Sequence, residues 1–322
     1  MAAIAITGAT GFLGGALCRR LLAQGQPVIA LGRNREKLAA LEQLGAECIG
    51  GDLAEGVPPI PRGPVSALVH CAALSSAWGT YAAFHKANVD GTRHALEFAQ
   101  QTGAKRFVHV STPSLYFRFR DQPLVREDAK LPRPINAYAA TKRMAEALVL
   151  AADVDAVILR PRGLYGKSDT ALLPRLLRAA QAGPLPRIRG GKAETDLTHI
   201  DDAVDAVLAA IRAPGQLDQR TFNISGGEAL PVRRIAELAA ARAGVTVRWR
   251  TLPASFVFAA ARTLEGAAWL HPRRPEPRIT AYGAGLFAFT QTLDTSAAKT
   301  HLGWTPKVSF EEGLTRTFGS AA

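Results

Sequence analysis

Thr7-Gly8-Ala9-Thr10-Gly11-Phe12-Leu13-Gly14 follows the apolar run Ile4-Ala5-Ile6 and leads directly into a helical pattern from Leu13 to Gln24. A β run, a glycine-rich turn and a helix in that order predict the first βαβ unit of a dinucleotide-binding sheet. Gly8 permits a tight turn, Gly11 lets the backbone approach a pyrophosphate, and Gly14 allows close helix–strand packing. The free N–H groups and partial positive charge at the helix start suit phosphate oxygens. Thr10, Phe12 and Leu13 complete the cradle.

Outward from this turn, short β runs alternate with longer helical patterns. Val28–Leu31, Glu47–Ile49, Ala67–His70, Phe107–Val110 and Ala156–Leu159 read as strands. Arg35–Leu44, Phe84–Thr102 and Tyr138–Ala151 read as helices, and Gly25 and Gly45 close the first two of the chain. This alternation predicts repeated βαβ units and a parallel sheet. The pattern loosens after Tyr165, although Asp201–Ile211 and Thr221–Ile224 read as one more helix and strand. The expected fold is α/β, a doubly wound parallel sheet of the Rossmann type with a smaller C-terminal α/β substrate lobe. Residues 1–166 plus 196–226 form the expected nucleotide domain, and 167–195 plus 227–322 the expected lobe.

Composition excludes other classes. With 322 residues, 48% hydrophobic and 20% charged, the chain can bury a sizeable core and is not disordered. No apolar run reaches the roughly 18 residues of a membrane span. The most apolar stretch, Ala254 to Leu270, is broken by Arg262 and Glu265. The N-terminus lacks a secretory pattern, and the three cysteines (Cys18, Cys48, Cys71) lack metal-ligand spacing, so a cytoplasmic protein without a metal is expected. Net charge is 39 − 27 = +12, but the basic residues are dispersed rather than clustered. A solvated Arg-rich surface is favoured over nucleic-acid binding.

Leu31-Gly32-Arg33-Asn34-Arg35 stands after the second strand, where NAD enzymes carry an acidic residue for the ribose 2′-hydroxyl. No carboxylate in this stretch repels a 2′-phosphate and Arg33 can pair with one, so NADP is favoured over NAD. The plainer reading of Arg33 is the start of a surface helix. Tyr138-Ala139-Ala140-Thr141-Lys142 puts a tyrosine and a lysine on one helix face. A nearby ammonium stabilises tyrosinate and lowers a phenol pKa from about 10. Alone the pair is a weak signal; behind a dinucleotide turn it is a strong one.

Over nearly the whole chain these motifs resemble the extended short-chain dehydrogenase/reductases. Gly51-Asp52-Leu53, His70-Cys71-Ala72-Ala73, Asn88-Val89-Asp90-Gly91-Thr92 and Val110-Ser111-Thr112 match in order. So do Arg160-Pro161 through Tyr165-Gly166, Thr198-His199-Ile200-Asp201-Asp202 and Leu302-Gly303-Trp304-Thr305-Pro306. The resemblance implies that Asp52 and Leu53 flank the adenine and that Ala72 and Ala73 line the cofactor trough. It places Pro161 and Leu164 against the nicotinamide, and has Asn88 steady the sheet or a relay water beside the cofactor. Tyr138 is the implied proton donor, and Lys142 keeps it acidic and binds ribose. Thr112 aligns with the catalytic hydroxyl, with Ser111 as the alternative. Ser75, Trp78, Pro113, Tyr116 and Tyr165 are the implied substrate-lining residues. A homodimer through the helices carrying Asn88 and Tyr138 is also implied.

Departures from the family pattern narrow the chemistry. Pro113 and Ser114 stand where sugar-nucleotide dehydratases carry an Asp-Glu pair. Gly163 replaces a common epimerase asparagine, and Lys167 a proline. Ser111–Ser114, Leu172–Arg175 and the lobe are similar to the branch of 3β-hydroxysteroid dehydrogenases and 2-alkyl-3-ketoalkanoate reductases. Phe256, Val257, Phe258, Leu264, Trp269 and Leu270 add an apolar segment that reads as a core helix, a greasy lid or a peripheral membrane contact. The expected activity is ketone–secondary alcohol interconversion on an apolar substrate: steroid-like, lipid or 3-keto acid. A nucleotide-sugar epimerase is the competing enzyme. A cofactor-sensing or RNA-binding protein is the competing non-enzyme, against which the Thr112, Tyr138 and Lys142 set argues.

Overall fold

Ile4 and Ile6 point to one face of the first strand and Ala5 to the other, and all three are buried. A strand buried on both faces belongs in the middle of a parallel sheet covered by helices. The computed structural model, which describes residues 1–61, 63–215 and 217–319, shows that sheet. Its seven parallel strands run in the order Thr221–Ile224, Asp155–Pro161, Arg106–Val110, Val65–His70, Ala3–Thr7, Val28–Gly32, Glu47–Gly50. Helices Phe12–Ala23 and Ile200–Arg212 pack with Ile4 and Ile6 on one face through Leu17, Val204 and Val207. Helices Gly91–Thr102 and Ala137–Ala151 cover Ala5 and Leu68 on the other through Phe98 and Val149. The strand order reverses between Ala3–Thr7 and Val65–His70, and ligands of such sheets bind at that switch, beyond the C-terminal strand ends.

Two local features depart from expectation. The segment read as one helix from Phe84 to Thr102 is Tyr81–His85 and Gly91–Thr102 joined by a π-helical turn, Lys86–Asp90. Thr92 Oγ1 donates to the Asn88 carbonyl at 2.6 Å, and the Asn88 side chain bonds a neighbouring loop, so side chains sustain the wider turn. The second departure concerns the lobe. Its four-stranded sheet runs Leu230–Pro231, Glu194–Thr195, Gln291–Leu293, Gln122–Val125. The last strand comes from within the segment assigned to the nucleotide domain. Helix Ala254–Leu270 continues through Arg262 and Glu265, the Glu265 carboxylate accepting from the Ala281 N–H at 2.8 Å. No helix among the described residues is long and apolar enough to cross a membrane. Residues 320–322 of the expected lobe lie outside the described residues.

Candidate active site

The glycine-rich turn is shaped by close backbone approach. Gly8 has φ +65°, and a Cβ there would lie 2.7 Å from the Ala72 nitrogen. A Cβ on Gly14 would run into the Gly8 carbonyl oxygen, so helix and turn meet with no room for a side chain. Gly11 caps helix Phe12–Ala23 without any side-chain bond to its first-turn N–H groups. Thr10 packs against Gly32 at the end of the second strand, while Leu13 is buried in the core. This cradle fits a pyrophosphate. Beside it, Arg33 is exposed and ion-paired with Asp52 at 3.2 Å, and Lys37 Nζ lies 3.4 Å from the Thr10 carbonyl. Asp52 also accepts from the Ala54 N–H, and Leu53 packs into the core. Ala72 and Ala73 follow Val65–His70 at the topological switch, with Ala73 exposed.

Asn136 caps helix Ala137–Ala151 and starts the turn that presents Tyr138. Burial raises the Tyr138 phenol above its ordinary pKa, and Ser75 and Thr112 oppose that rise by hydrogen bonding to it. Thr112 Oγ1 donates to Ser114 Oγ at 3.0 Å and accepts from the Ser114 N–H. Ser114 Oγ in turn lies 2.8 Å from the Tyr282 hydroxyl, on helix Ala281–Ala288 of the lobe. The structure therefore assembles Ser75, Thr112, Ser114, Tyr138 and Tyr282 into one hydroxyl cluster; Ser114 and Tyr282 are absent from the sequence expectation. Ser111 Oγ is buried beside them with no hydrogen-bond partner among the described residues.

Lys142 departs from its expected place. Its ammonium donates to the Val110 carbonyl at 2.7 Å and lies 3.1 Å from His109 Nε2, rather than lowering the Tyr138 pKa. Burial pushes Lys142 down to about 8, with Glu146 and Cys71 acting against it. His109 stacks on His70 with ring centroids 5.3 Å apart, and His70 is held between Thr7 at 2.7 Å and Thr92 at 3.0 Å. Burial first and the Lys142 charge second keep His70 down at about 3 and His109 well below its ordinary value. Both imidazoles are neutral at physiological pH.

Two expected substrate contacts, Tyr116 and Tyr165, are instead structural, and Asn88 takes the steadying role that was one of its two expected readings. Asn88 is 1% exposed, accepts from the Leu74 N–H at 2.7 Å and donates to Thr141 Oγ1 at 3.1 Å. It ties the loop after Val65–His70 to the tyrosine helix. Tyr116 is buried, donates to Asn223 Oδ1 and accepts from Arg160, which is itself paired with Glu146. Tyr165 is buried against His199 and Phe310. Both tyrosines serve the core because neighbouring polar groups capture their hydroxyls or aromatic partners enclose their rings. Pro113 is buried in the turn after Thr112, whereas Trp78 is half-buried and packs at a tilt against Trp269 of the lobe, ring centroids 5.0 Å apart. Pro161 and Leu164 are half-buried at the end of Asp155–Pro161 and just beyond it.

The NAD dependent epimerase/dehydratase family model matches residues 4–225. The chain is similar to the 2-alkyl-3-oxoalkanoate reductase of Stenotrophomonas maltophilia (strain K279a), 34% identical over 99% of each chain. It is similar also to the 4-hydroxy-2-methyl-3-oxo-4-farnesyl-3,4-dihydroquinoline-1-oxide ketoreductase of Stigmatella aurantiaca, 34% identical over 96% of this chain and 93% of that one. Among solved structures, UDP-glucuronic acid 4-epimerase from Bacillus cereus in complex with NAD matches with a TM-score of 0.73. It is 23% identical, with 98% of this chain and 97% of that chain covered, and the likeness is one of fold.

Proposed function

The chain belongs to the NAD dependent epimerase/dehydratase family, and from that premise we propose a ketone reductase or alcohol dehydrogenase for apolar substrates that prefers NADP(H). The observation that carries this reading is the hydroxyl cluster at Tyr138, bounded on the lobe side by aromatic rings. Phe117 meets Tyr282 edge-on at 5.1 Å, and Phe119 packs on Phe117 at 5.6 Å and on Phe258 at 5.3 Å. The named relatives act on alkyl and farnesyl ketones, which fits such walls.

When bound, the nicotinamide dinucleotide supplies or takes up a hydride. The first-turn N–H groups after Gly11 hold the pyrophosphate; Asp52 and Leu53 flank the adenine; Ala72, Ala73, Pro161 and Leu164 line the trough. Tyr138, its pKa raised by burial, keeps its proton at neutral pH and donates it to the substrate oxygen during reduction. Thr112 gives up its bond to Ser114 Oγ and donates its one hydroxyl proton to that oxygen instead. Lys142, gripping the Val110 carbonyl, fixes the tyrosine helix against the strand that leads to Thr112. Arg33 and Lys37, on the rim beside Thr10, support the NADP preference.

Nucleotide-sugar chemistry has less support. A side chain at Gly163 would meet Leu197 Cδ2 at 2.5 Å, so leucine fills the space beside the position where epimerases carry asparagine. Arg189 is committed to Asp121 through two 2.9 Å bonds and lies over Phe289, leaving it unavailable to a diphosphate. Exposed Tyr81, Met144 and Leu150, on helices Tyr81–His85 and Ala137–Ala151, support a homodimer through these helices. The direct test is nicotinamide absorbance with a panel of ketones and alcohols and both cofactors. Turnover of no apolar ketone or alcohol with either cofactor would overturn the reading.

A further inference from the structure

Helix Ala254–Leu270 turns an apolar stripe away from the protein. Phe256, Ala259, Thr263, Gly266, Ala267 and Leu270 recur at three- and four-residue steps and are all exposed, Phe256 by 61% and Leu270 by 88%. The other face, through Val257, Ala261 and Ala268, is buried. A surface helix that is apolar on both faces marks a contact site.

The charge of the segment that carries the stripe points to what covers it. Between residues 248 and 278 the chain carries Arg248, Arg250, Arg262, Arg273, Arg274 and Arg278, all exposed. The same span holds only two acidic residues, giving 6 − 2 = +4. Both are occupied: Glu265 accepts from the Ala281 N–H, and Glu276 pairs with Arg175. We propose that this face docks on an anionic lipid bilayer, the stripe entering the headgroup boundary while the arginines meet lipid phosphates. Trp269 at the end of the helix, under the Arg274 guanidinium at 5.1 Å, is an interfacial anchor. A second copy of the chain is a poor cover, because it would set +4 against +4.

The same helix reaches the candidate site. Trp269 packs at a tilt against Trp78, whose indole donates to the Arg274 carbonyl at 3.0 Å, and Phe258 stands against Phe119 and Phe289. Docking brings these rings to the bilayer, where a water-insoluble ketone resides. The docking surface itself does not depend on the proposed reaction, so its test measures binding without turnover.

The full chain is co-sedimented with phosphatidylcholine vesicles, with and without phosphatidylglycerol, and tryptophan emission is followed. The expected result is salt-sensitive binding to the anionic vesicles with a blue shift. F256S/L270S weakens binding by at least about tenfold, since each side chain loses apolar burial in the bilayer. R273Q/R274Q weakens binding and flattens its salt dependence. Both variants melt as the parent does, because the changed side chains are exposed. Absence of binding to anionic vesicles at low ionic strength overturns the proposal. So does an F256S/L270S variant that binds as well as the parent, which would assign binding to diffuse basic charge. Self-association abolished by F256S/L270S, without vesicle binding, would place a second copy on this face and equally overturn it.

Discussion

The Lys142 ammonium lies 3.1 Å from His109 Nε2, and this contact, not one with Tyr138, accounts for its second polar partner after the Val110 carbonyl. A buried ammonium needs acceptors, and a neutral imidazole offers one lone pair. His109 therefore carries its proton on Nδ1, the nitrogen without a partner among the described residues. His109→Leu removes the acceptor while nearly keeping the volume. Unfolding in urea should show a loss of about 1–3 kcal/mol, the cost of leaving a buried polar group unsatisfied. Unchanged stability would mean that Lys142 does not depend on His109.

Buried histidines set an acid limit. Burial lowers His70 from 6.5 to about 3 and drives His109 and His199 down as well. Below about 6.5 the unfolded chain takes up protons on these histidines that the folded chain refuses. Stability therefore falls as pH drops from that point and, for His70, continues to fall toward about 3. The limiting slope is about 1.4 kcal/mol per pH unit for each histidine. The carboxyls of Asp196 and Asp202, raised by burial, oppose this at lower pH, so the window from about 6.5 to about 5 is the diagnostic one. Denaturation midpoints that stay level across that window would show that the histidines charge freely in the fold.

Tyr138→Phe is expected to lower kcat by about 10²–10⁴-fold while nicotinamide cofactor binding, followed by fluorescence, is nearly unchanged. Tyr282→Phe removes a single hydrogen bond to Ser114 and should cost at most about tenfold, corresponding to about 0.5–1.5 kcal/mol. A larger loss from Tyr282→Phe than from Tyr138→Phe would exchange their roles.

The parts of the site that could be read in the sequence are those encoded locally. Gly8, Gly11 and Gly14 are legible because one turn demands particular backbone freedom, whereas helical spacing alone signals Tyr138 and Lys142 without revealing that Lys142 turns to Val110 and His109. The hydroxyl cluster is not local. Ser114 and Tyr282 are 168 residues apart and meet only when the lobe closes on the strand ends. His109 and Lys142 are 33 residues apart, and nothing in either segment signals the contact. Strand Gln122–Val125 is short and contains Pro123; it exists through pairing with Gln291–Leu293. Tyr116 and Tyr165 border motif segments, yet Arg160, Asn223 and Phe310 draw them into the core.

NADPH is expected to bind more tightly than NADH. Arg33 is exposed and already engaged by Asp52, so Arg33→Ala should narrow the gap by about 1.5 kcal/mol, the low end for hydrogen bonds to charged groups. Titration of both cofactors against both proteins measures it. Equal affinities for NADPH and NADH in the parent protein would remove the phosphate role from Arg33.

Substrate class follows from what surrounds the hydroxyl cluster. Phe117, Phe119 and Phe258 stand on the lobe side of Tyr282, and Leu197 fills the space at Gly163. Walls of this kind reward apolar ligand surface by about 25 cal/mol per Å² removed from water. They cannot offset desolvation of a diphosphate unless arginines converge on it, and Arg189 is held by Asp121. Lengthening the alkyl chain of a ketone substrate should thus raise kcat/KM by up to about 0.8 kcal/mol per methylene buried, roughly fourfold per step. UDP and UDP-glucose should leave both the melting temperature and the reaction rate unchanged. A clear rise in melting temperature with UDP-glucose, and none with long-chain ketones, would reassign the site to nucleotide-sugar chemistry.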